Sequence, residues 1–333
     1  MAGEDGDCTM FLRAAEKVVM EPYNYTSDTN GKGLRCKLMS AFNYWLKVPE
    51  STLKLISEVI QMLHNASLII DDIEDGSYLR RGKPAAHCVF GVAPSINSAN
   101  YVYFLALEKL SVLNRPESVK IFTEQMLELH RGQGMDIFWR SSFKCPSESD
   151  YEAMVLCKTG GLFGLGVRLM QLFSEVQTNY KPLLDTLGLF YQIRDDYANL
   201  VDLSYHKTKT YAEDLTEGKF SYPIVRAIND HPNDNQVMNI LSQRTTNPSL
   251  KLYCVKHMLE LGALHATAMM LTKLEDKCRQ LIKEYGDNPL LSQLISKLSD
   301  LHRTPGGDLR FITLEELSCS ANESEHIHSQ WSS

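Results

Sequence analysis

The sequence predicts an all-α protein, a large bundle with helices at its centre. Three observations carry that expectation. Apolar residues recur every three or four positions through one long stretch after another, no convincing run of alternating strand pattern occurs, and prolines punctuate the periodic stretches. The first such stretch, STLKLISEVIQMLHNASLIIDDIED, is periodic from Leu53 to Ile70 and then turns acidic. SINSANYVYFLALEKLSVL, SVKIFTEQMLELHRGQGMDIFWR, YEAMVLCKTGGLFGLGVRLMQLF and KPLLDTLGLFYQIRDDYANLV follow the same period. So do SLKLYCVKHMLELGALHATAMMLTKLEDKCRQLIKEY and NPLLSQLISKLSDLH. Pro49, Pro94, Pro116, Pro146, Pro182, Pro248 and Pro289 lie near helix starts, where proline is tolerated because the first turn has no N–H partner to lose. Several of these helices carry few charges in their middle, which predicts burial on most sides. From about Arg303 the composition shifts to Gly, Ser, Asn, Glu and His, and that tail, like residues 1–9, is expected to be poorly ordered.

The chain has 333 residues, of which 44% are hydrophobic, enough for a sizeable core in one large domain or two small ones. A formal net charge of −7 argues against nucleic acid or an anionic membrane as the main partner. No apolar run reaches membrane-spanning length by inspection, and the acidic start MAGEDGDCTMFLRAAEK lacks the apolar segment of a signal peptide. The eight cysteines, Cys8, Cys36, Cys88, Cys145, Cys157, Cys254, Cys278 and Cys319, are scattered and form no CxxC pair. Reduced thiols in the cytoplasm fit that pattern better than a disulfide framework or a zinc site.

Two acidic clusters carry the chemistry. Asp71-Asp72-Ile73-Glu74-Asp75 and Asp195-Asp196-Tyr197-Ala198-Asn199 each close a long apolar helix. Residues four apart share a helix face, so Asp71 projects with Asp75, and Asp195 with Asn199; Asp72 and Asp196 lie beside them. Acid is thereby set at the mouth of an apolar space. Magnesium prefers oxygen ligands and combines one or two carboxylates with substrate phosphates, so two facing clusters could hold a diphosphate through bridging ions. A single cluster of this kind reads equally well as a solvated helix end. An EF-hand fits less well, because Ile73 occupies the third loop position and Gly82 the twelfth. The repeated spacing on two apolar helices strengthens the metal reading.

Basic residues gather nearby. Arg80 and Arg81 follow the first cluster, Gly31, Lys32 and Arg35 form G-K-x-x-R before a helix, and His64 lies two turns before Asp71. Lys158 and Thr159 precede a glycine pair in MVLCKTGGLFGLG, and Lys209 and Lys219 flank AEDLTEG. A diphosphate needs neutralising charge and fixed donors; arginine gives a planar fork and lysine a point charge. Each of these taken alone reads as a surface charge. A lysine within an apolar run does so least, and its natural companion is a bound anion.

These residues resemble the trans-isoprenyl diphosphate synthases, and within them the animal and fungal geranylgeranyl diphosphate synthases. HNASLIIDDIEDGSYLRRG is similar to the first aspartate-rich motif and GLFYQIRDDYANL to the second; LELHRGQGMDI, KTGGLFGL and EDLTEGKFSYP resemble further blocks. The resemblance spans residues 10 to about 302 and implies one synthase domain, a helical bundle around a deep central cavity, commonly assembled as a homodimer or higher homo-oligomer. It implies Asp71, Asp72, Asp75, Asp195, Asp196 and Asn199 as ligands of Mg2+, three ions per active site. Arg80, Lys158, Thr159, Gln192, Lys209 and Lys219 match positions facing an allylic diphosphate. Gly31, Lys32, Arg35, His64 and Arg81 match positions holding isopentenyl diphosphate. Asp71, Asp72, Asp75, Lys158, Asp195 and Lys209 are the expected catalytic set. The second motif ends in Asn199 where aspartate is commoner, as it often does in the favoured subgroup. Arg168 stands where that subgroup has a small residue, and is expected to face a helix end or subunit surface.

The implied reaction ionises an allylic diphosphate (farnesyl, geranyl or dimethylallyl), lets the double bond of isopentenyl diphosphate attack, and loses a proton that the released pyrophosphate can take. Cations would stabilise the leaving group and an apolar wall would keep water from the cation. Product length should follow cavity depth. Ala66 and Ser67, one turn before Asp71, are small and leave room, while Tyr103, Phe104 and His130 are expected to form the floor. The expected product is geranylgeranyl diphosphate, made mainly from farnesyl diphosphate. A farnesyl diphosphate synthase, a terpene synthase derived from the same stock and a noncatalytic partner subunit are the alternatives. Both aspartate motifs are present, which disfavours the last, and Lys32, Arg35, His64 and Arg81 favour elongation over cyclisation.

Overall fold

The computed structural model describes residues 4–28, 33–202 and 210–317. Their architecture is helical: α1 (Glu4–Val19), α2 (Glu21–Ser27), α3 (Leu34–Leu46), α4 (Glu50–Asp75), α5 (Ala86–Phe90), α6 (Val92–Ser111) and α7 (Pro116–Ser142) lead into α8 (Glu148–Val155). A π-helical turn (Leu156–Gly160) joins α8 to α9 (Gly161–Gln171), and α10 (Lys181–Val201) follows. After the undescribed stretch come α11 (Glu213–Glu217), α12 (Tyr222–Asp230), α13 (Gln236–Ser242), α14 (Pro248–Glu260), α15 (Ala263–Glu284) and α16 (Pro289–Ser299). Among the described residues the only sheet is a hairpin of two-residue strands, β1 (Leu79–Arg80) and β2 (Lys83–Pro84).

Local chemistry sets the boundaries. Prolines occupy the first turns of α2, α7, α10, α12, α14 and α16, where they remove no helical hydrogen bond. Ser147, Asn247 and Asn288 cap α8, α14 and α16 by accepting backbone N–H groups of the first turn. α4 stops at Gly76, whose φ of 68° only glycine adopts without cost.

One apolar core runs from Leu38 to Leu317 through α3, α4 and α6 to α16. A second, smaller cluster packs Ala66 and Ile69 of α4 against Ala99 and Val102 of α6, under Met20, Tyr23 and Tyr25. α4 and α6 are antiparallel neighbours, and an ion pair of 2.5 Å between Glu58 and Lys109 marks their register. α7 and α10 each approach the π turn closely. A Cβ on Gly132 would fall 2.9 Å from the Lys158 nitrogen, and one on Gly188 would fall 3.0 Å from the Gly160 Cα. Both positions therefore need glycine, and the approach presses Lys158 into the middle of the bundle.

Two expectations need correction. Order extends past residue 302: Arg303 pairs with Leu309 in a β-bridge, Arg303 Nε lies 2.6 Å from Glu275 Oε2, and Ile312 and Leu317 are buried. At the other end α1 already runs from Glu4. Polar composition predicts a loose tail, but a few apolar residues and one buried carboxylate, Glu275, suffice to dock this segment. Two helical stretches, Glu50–Asp75 and Glu148–Gln171, are also long and apolar enough to cross a membrane by length and composition. Here they are core helices, carrying Asp71 and Lys158 into the site.

Candidate active site

The last turns of α4 and the hairpin after it form one wall. Gly76 ends the helix, and the hairpin turns at Arg81 (φ 54°) and Gly82 (φ 77°), the left-handed pair that suits a two-residue loop. That turn sends Arg80 back onto the helix. Its Nε donates to Asp72 Oδ1 at 2.8 Å, a terminal nitrogen contacts the same oxygen, and Asp71 lies 3.6 Å away. Burial opposes the Arg80 charge, but Asp72 and then Asp71 outweigh it and hold the guanidinium above its usual range. Asp72 is itself buried.

α7 and the π turn form the facing wall. Lys158 Nζ sits 3.2 Å from Asp71 Oδ1 and 3.1 Å from Asp136 Oδ2. Arg140 Nη1 lies 2.5 Å from Asp75 Oδ1, and its Nε is 3.8 Å from Asp136. Gln133 Nε2 donates to Glu74 at 2.6 Å and to Asp71 at 3.4 Å. Burial would raise the Asp136 pKa, but Lys158, Arg140 and Lys219 overcome it and keep the carboxyl below its usual range. Asp75 goes the other way. Burial, then the charges of Asp71 and Glu217, push it up to about 7 despite Lys158 and Arg140. Asp136, Arg140 and Gln133 carry no role in the sequence analysis, although Gln133 and Asp136 stand in the block LELHRGQGMDI and Asp136 and Arg140 share the four-residue spacing of the aspartates.

The second cluster lies on α10, where neighbouring side chains diverge. Asp195 is half-buried, close enough to Arg35 and Tyr191 for their charges to interact. Asp196 points inward instead: its carboxylate accepts from the Tyr151 hydroxyl (2.5 Å), the Tyr222 backbone N–H (2.8 Å) and Gln192 (2.8 Å). Gln192 in turn accepts from Thr159 at 2.7 Å. Asn199 is buried too, and its Oδ1 accepts the Asp214 N–H at 3.2 Å, tying α11 to α10. The expectation that Asp196 and Asn199 face a metal is therefore corrected: helical rotation turns Asp196 about 100° from Asp195, and both are engaged as internal anchors. Lys219 is half-buried 4.0 Å from Asp214, and the acids around it raise its pKa against the effect of burial.

A second basic group gathers beside the first wall. Arg35 stacks over Phe163 at 5.8 Å, with a buried Nε that has no hydrogen-bond partner. Burial, then the positive charges of Arg35, Arg81 and Arg80, hold the His64 pKa well below its usual value, with only Asp71 pulling the other way. Arg35 is lowered by burial and by Arg81, against Tyr191 and Asp195. Arg35, Arg81 and Arg80 thus crowd their charges into one place, beside an imidazole biased to its neutral form. Gly31, Lys32 and Lys209 lie outside the described residues.

The expected floor does not form as read. Tyr103 is half-buried, its ring 6.2 Å from that of His130, and burial with the nearby charges of Glu74 and Asp71 raises its pKa. Phe104 is 71% exposed and His130 is also exposed, so neither closes an interior. One step along α6 carries Phe104 around to the outer side. Ala66 is fully buried in the small cluster against α6, whereas Ser67 is half-buried on the Asp71 face. Arg168 lies at the surface, paired with Glu124 at 2.6 Å, and does not enter the apolar interior.

Residues 16–258 match the polyprenyl synthetase family model. Over 289 residues the chain is 49% identical to a protein of Matsumurasca onukii called a terpene synthase, covering 87% of this chain and 95% of that one. It is 48% identical over 282 residues to a geranylgeranyl pyrophosphate synthase of Dictyostelium discoideum, with 85% and 93% covered. It is 51% identical over 272 residues to the geranylgeranyl pyrophosphate synthase atmG of Aspergillus flavus, with 78% and 80% covered. With the family model spanning most of the bundle and near-half identity extending over both acidic helices, the chain belongs to the polyprenyl synthetase family.

Proposed function

We propose that this protein makes geranylgeranyl diphosphate by adding one isopentenyl unit to farnesyl diphosphate. The observation that carries the reading is the pairing of two anion-ready places. One is walled by Asp71, Asp75, Arg80 and Lys158, and the other is built from Arg35, His64 and Arg81. An enzyme that only ionises an allylic diphosphate has use for the first; condensation needs both. The names of the Dictyostelium and Aspergillus relatives support the same product.

In this reading Arg80, Lys158 and Lys219 hold the allylic diphosphate while its carbon–oxygen bond breaks, with Lys209 as a further expected cation. Thr159 and Gln192 fix the Lys158 turn to α10. The chain's apolar helices exclude water from the cation, and released pyrophosphate takes the proton. The donor chemistry fits magnesium: Asp71 and Asp75 offer only oxygen, on one helix face, and Asp71 keeps 24% of its side chain exposed. Three ions are proposed, with Asp71, Asp75 and Asp195 as the protein's ligands and Asp72 close by. Bound there, magnesium would neutralise charge growing on the leaving diphosphate. The exposed apolar side chains of α6 and α7 support a homodimer, and six free thiols among the described residues support a reducing, cytoplasmic setting.

The test is incubation of purified protein with magnesium and each allylic diphosphate, with and without isopentenyl diphosphate. The expected product from farnesyl diphosphate is the C20 diphosphate, formed only when isopentenyl diphosphate is present and lost with EDTA. Arg35→Ala should raise KM for isopentenyl diphosphate more than for the allylic partner. The name of the Matsumurasca relative motivates the rival outcome. Terpene hydrocarbons or alcohols made from an allylic diphosphate alone, at a rate indifferent to isopentenyl diphosphate, would replace this reading with cyclisation.

A further inference from the structure

We propose that Arg140 is a positioning residue for the first aspartate cluster, holding the Asp75 carboxylate in the orientation from which it meets a metal ion. The inference rests on the magnesium reading of that cluster and adds a residue that neither aspartate motif contains.

The argument begins with register. α4 presents Asp71 and Asp75 one turn apart, and α7 presents Asp136 and Arg140 one turn apart opposite them. Lys158 closes the frame between Asp71 and Asp136. Charges alternate around it: Asp71, Lys158, Asp136, Arg140, Asp75. Each carboxylate of the α4 pair thus has its own cation, Lys158 at 3.2 Å for Asp71 and Arg140 at 2.5 Å for Asp75. The two are not equivalent. Lys158 is 22% exposed and meets Asp71, which is 24% exposed, whereas Arg140 is 4% exposed and meets Asp75, which is 6% exposed. Lys158 can exchange its partner for a substrate anion. Arg140 lies behind the pair and has no such freedom.

Burying a guanidinium is costly, and two of its donors, Nε and Nη2, are buried with no hydrogen-bond partner. An apolar side chain would fill that space at lower cost if filling were its only duty. What an apolar residue cannot do is fix a carboxylate. A guanidinium held by the packing around it sets, through Nη1 and its charge, where the Asp75 carboxylate rests. Outer-shell contacts of this kind commonly change metal affinity by about 10- to 100-fold when removed.

The experiment measures binding of Mn2+, as a magnesium probe, to full-length protein by electron paramagnetic resonance, with inorganic pyrophosphate present, beside thermal melting. Arg140→Met keeps the long stem and removes charge and fork; Arg140→Lys keeps the charge alone. The expected result is Mn2+ affinity about ten- to a hundredfold weaker in R140M, with R140K between it and wild type. If R140M does not fold, R140K carries the test, and wild-type affinity in R140K overturns the orienting role. Wild-type affinity in folded R140M overturns the proposal outright while leaving the magnesium reading intact. Should the wild type itself bind no Mn2+, the magnesium reading fails and the role of Arg140 fails with it.

Discussion

Lys251 shows how far single residues are bent to hold the region around the second motif. It is 4% exposed, and its ammonium donates to the Tyr211 carbonyl at 2.8 Å. The next residue, Ala212, is buried with a left-handed φ of 44° and opens α11. A β-carbon makes that conformation unfavourable, so something must hold it. Burial lowers the lysine pKa to about 8, although Glu213, Glu217 and Asp214 pull it upward. Between pH 8 and the ordinary lysine value of 10.5 the unfolded chain keeps a proton that the folded chain has released. Stability therefore rises with pH through that window, and below pH 8 the full cost is present, about 3 kcal/mol for such a shift. Lys251→Met removes that cost and gives up a hydrogen bond of about 1 kcal/mol. The variant should be the more stable by about 2 kcal/mol at pH 7, with the gap closing as pH approaches 10. Urea unfolding of both proteins at the two pH values checks this, and parallel profiles would show that Lys251 titrates normally.

At the scale of elements, what the sequence disclosed was what the helix makes local. The spacing of Asp71 and Asp75 places both on one face wherever α4 happens to pack, so the first cluster was legible. Asp136 and Arg140 have the same spacing, but their meaning arises only when α7 crosses α4 in register, and no local pattern reports that crossing. Rotational phase was the other hidden quantity. Tyr103 and Phe104 are both apolar aromatics on an apolar helix, and only packing decides that one turns inward and the other outward. Asp195 and Asp196 diverge for the same reason. Ala66 and Ser67 can be separated on this basis. Ala66 sits in the closed cluster against Val102, whereas Ser67 lies one turn below Asp71 on the face that looks toward Lys158. A tail anchored by its diphosphate at Asp71 runs past Ser67, and each isoprene unit adds about one helical turn, roughly 5 Å. Ser67→Phe should therefore shift product from C20 toward farnesyl diphosphate with little loss of stability. Ala66→Phe should lower stability by about 1–3 kcal/mol through overpacking and leave product length nearly unchanged. Product chromatography beside thermal melting separates the two; the reverse assignment would mean that the tail follows the α6 side of α4.

The whole molecule presents a surface its single chain does not explain. α7 has two opposed faces. Gln133, Asp136 and Arg140 turn toward the aspartates, while Leu127 (52% exposed), Met135 (44%) and Phe138 (52%) form a stripe on the other side. Phe104, on the neighbouring α6, is the most exposed of these large apolar residues. Isolated apolar residues at a surface are ordinary, but several large ones along one helix face mark an interface. A second copy is the simplest occupant, since a two-fold axis lets one patch cover itself. Covering it would also brace α7 from behind, and α7 holds Arg140 against Asp75 and Asp136 against Lys158 only as long as its register with α4 holds. Phe104→Asp combined with Phe138→Asp places charge on the patch without touching any residue of the site. The wild type should sediment as a dimer or larger at micromolar concentration, and the double variant should sediment as a folded monomer by circular dichroism and ultracentrifugation. Its turnover should fall because the brace on α7 is lost, and raising protein concentration should restore activity if association is weakened rather than abolished. A wild type that sediments as a monomer at high concentration would leave the stripe unexplained by self-association, and a monomeric variant with full turnover would separate the interface from the chemistry.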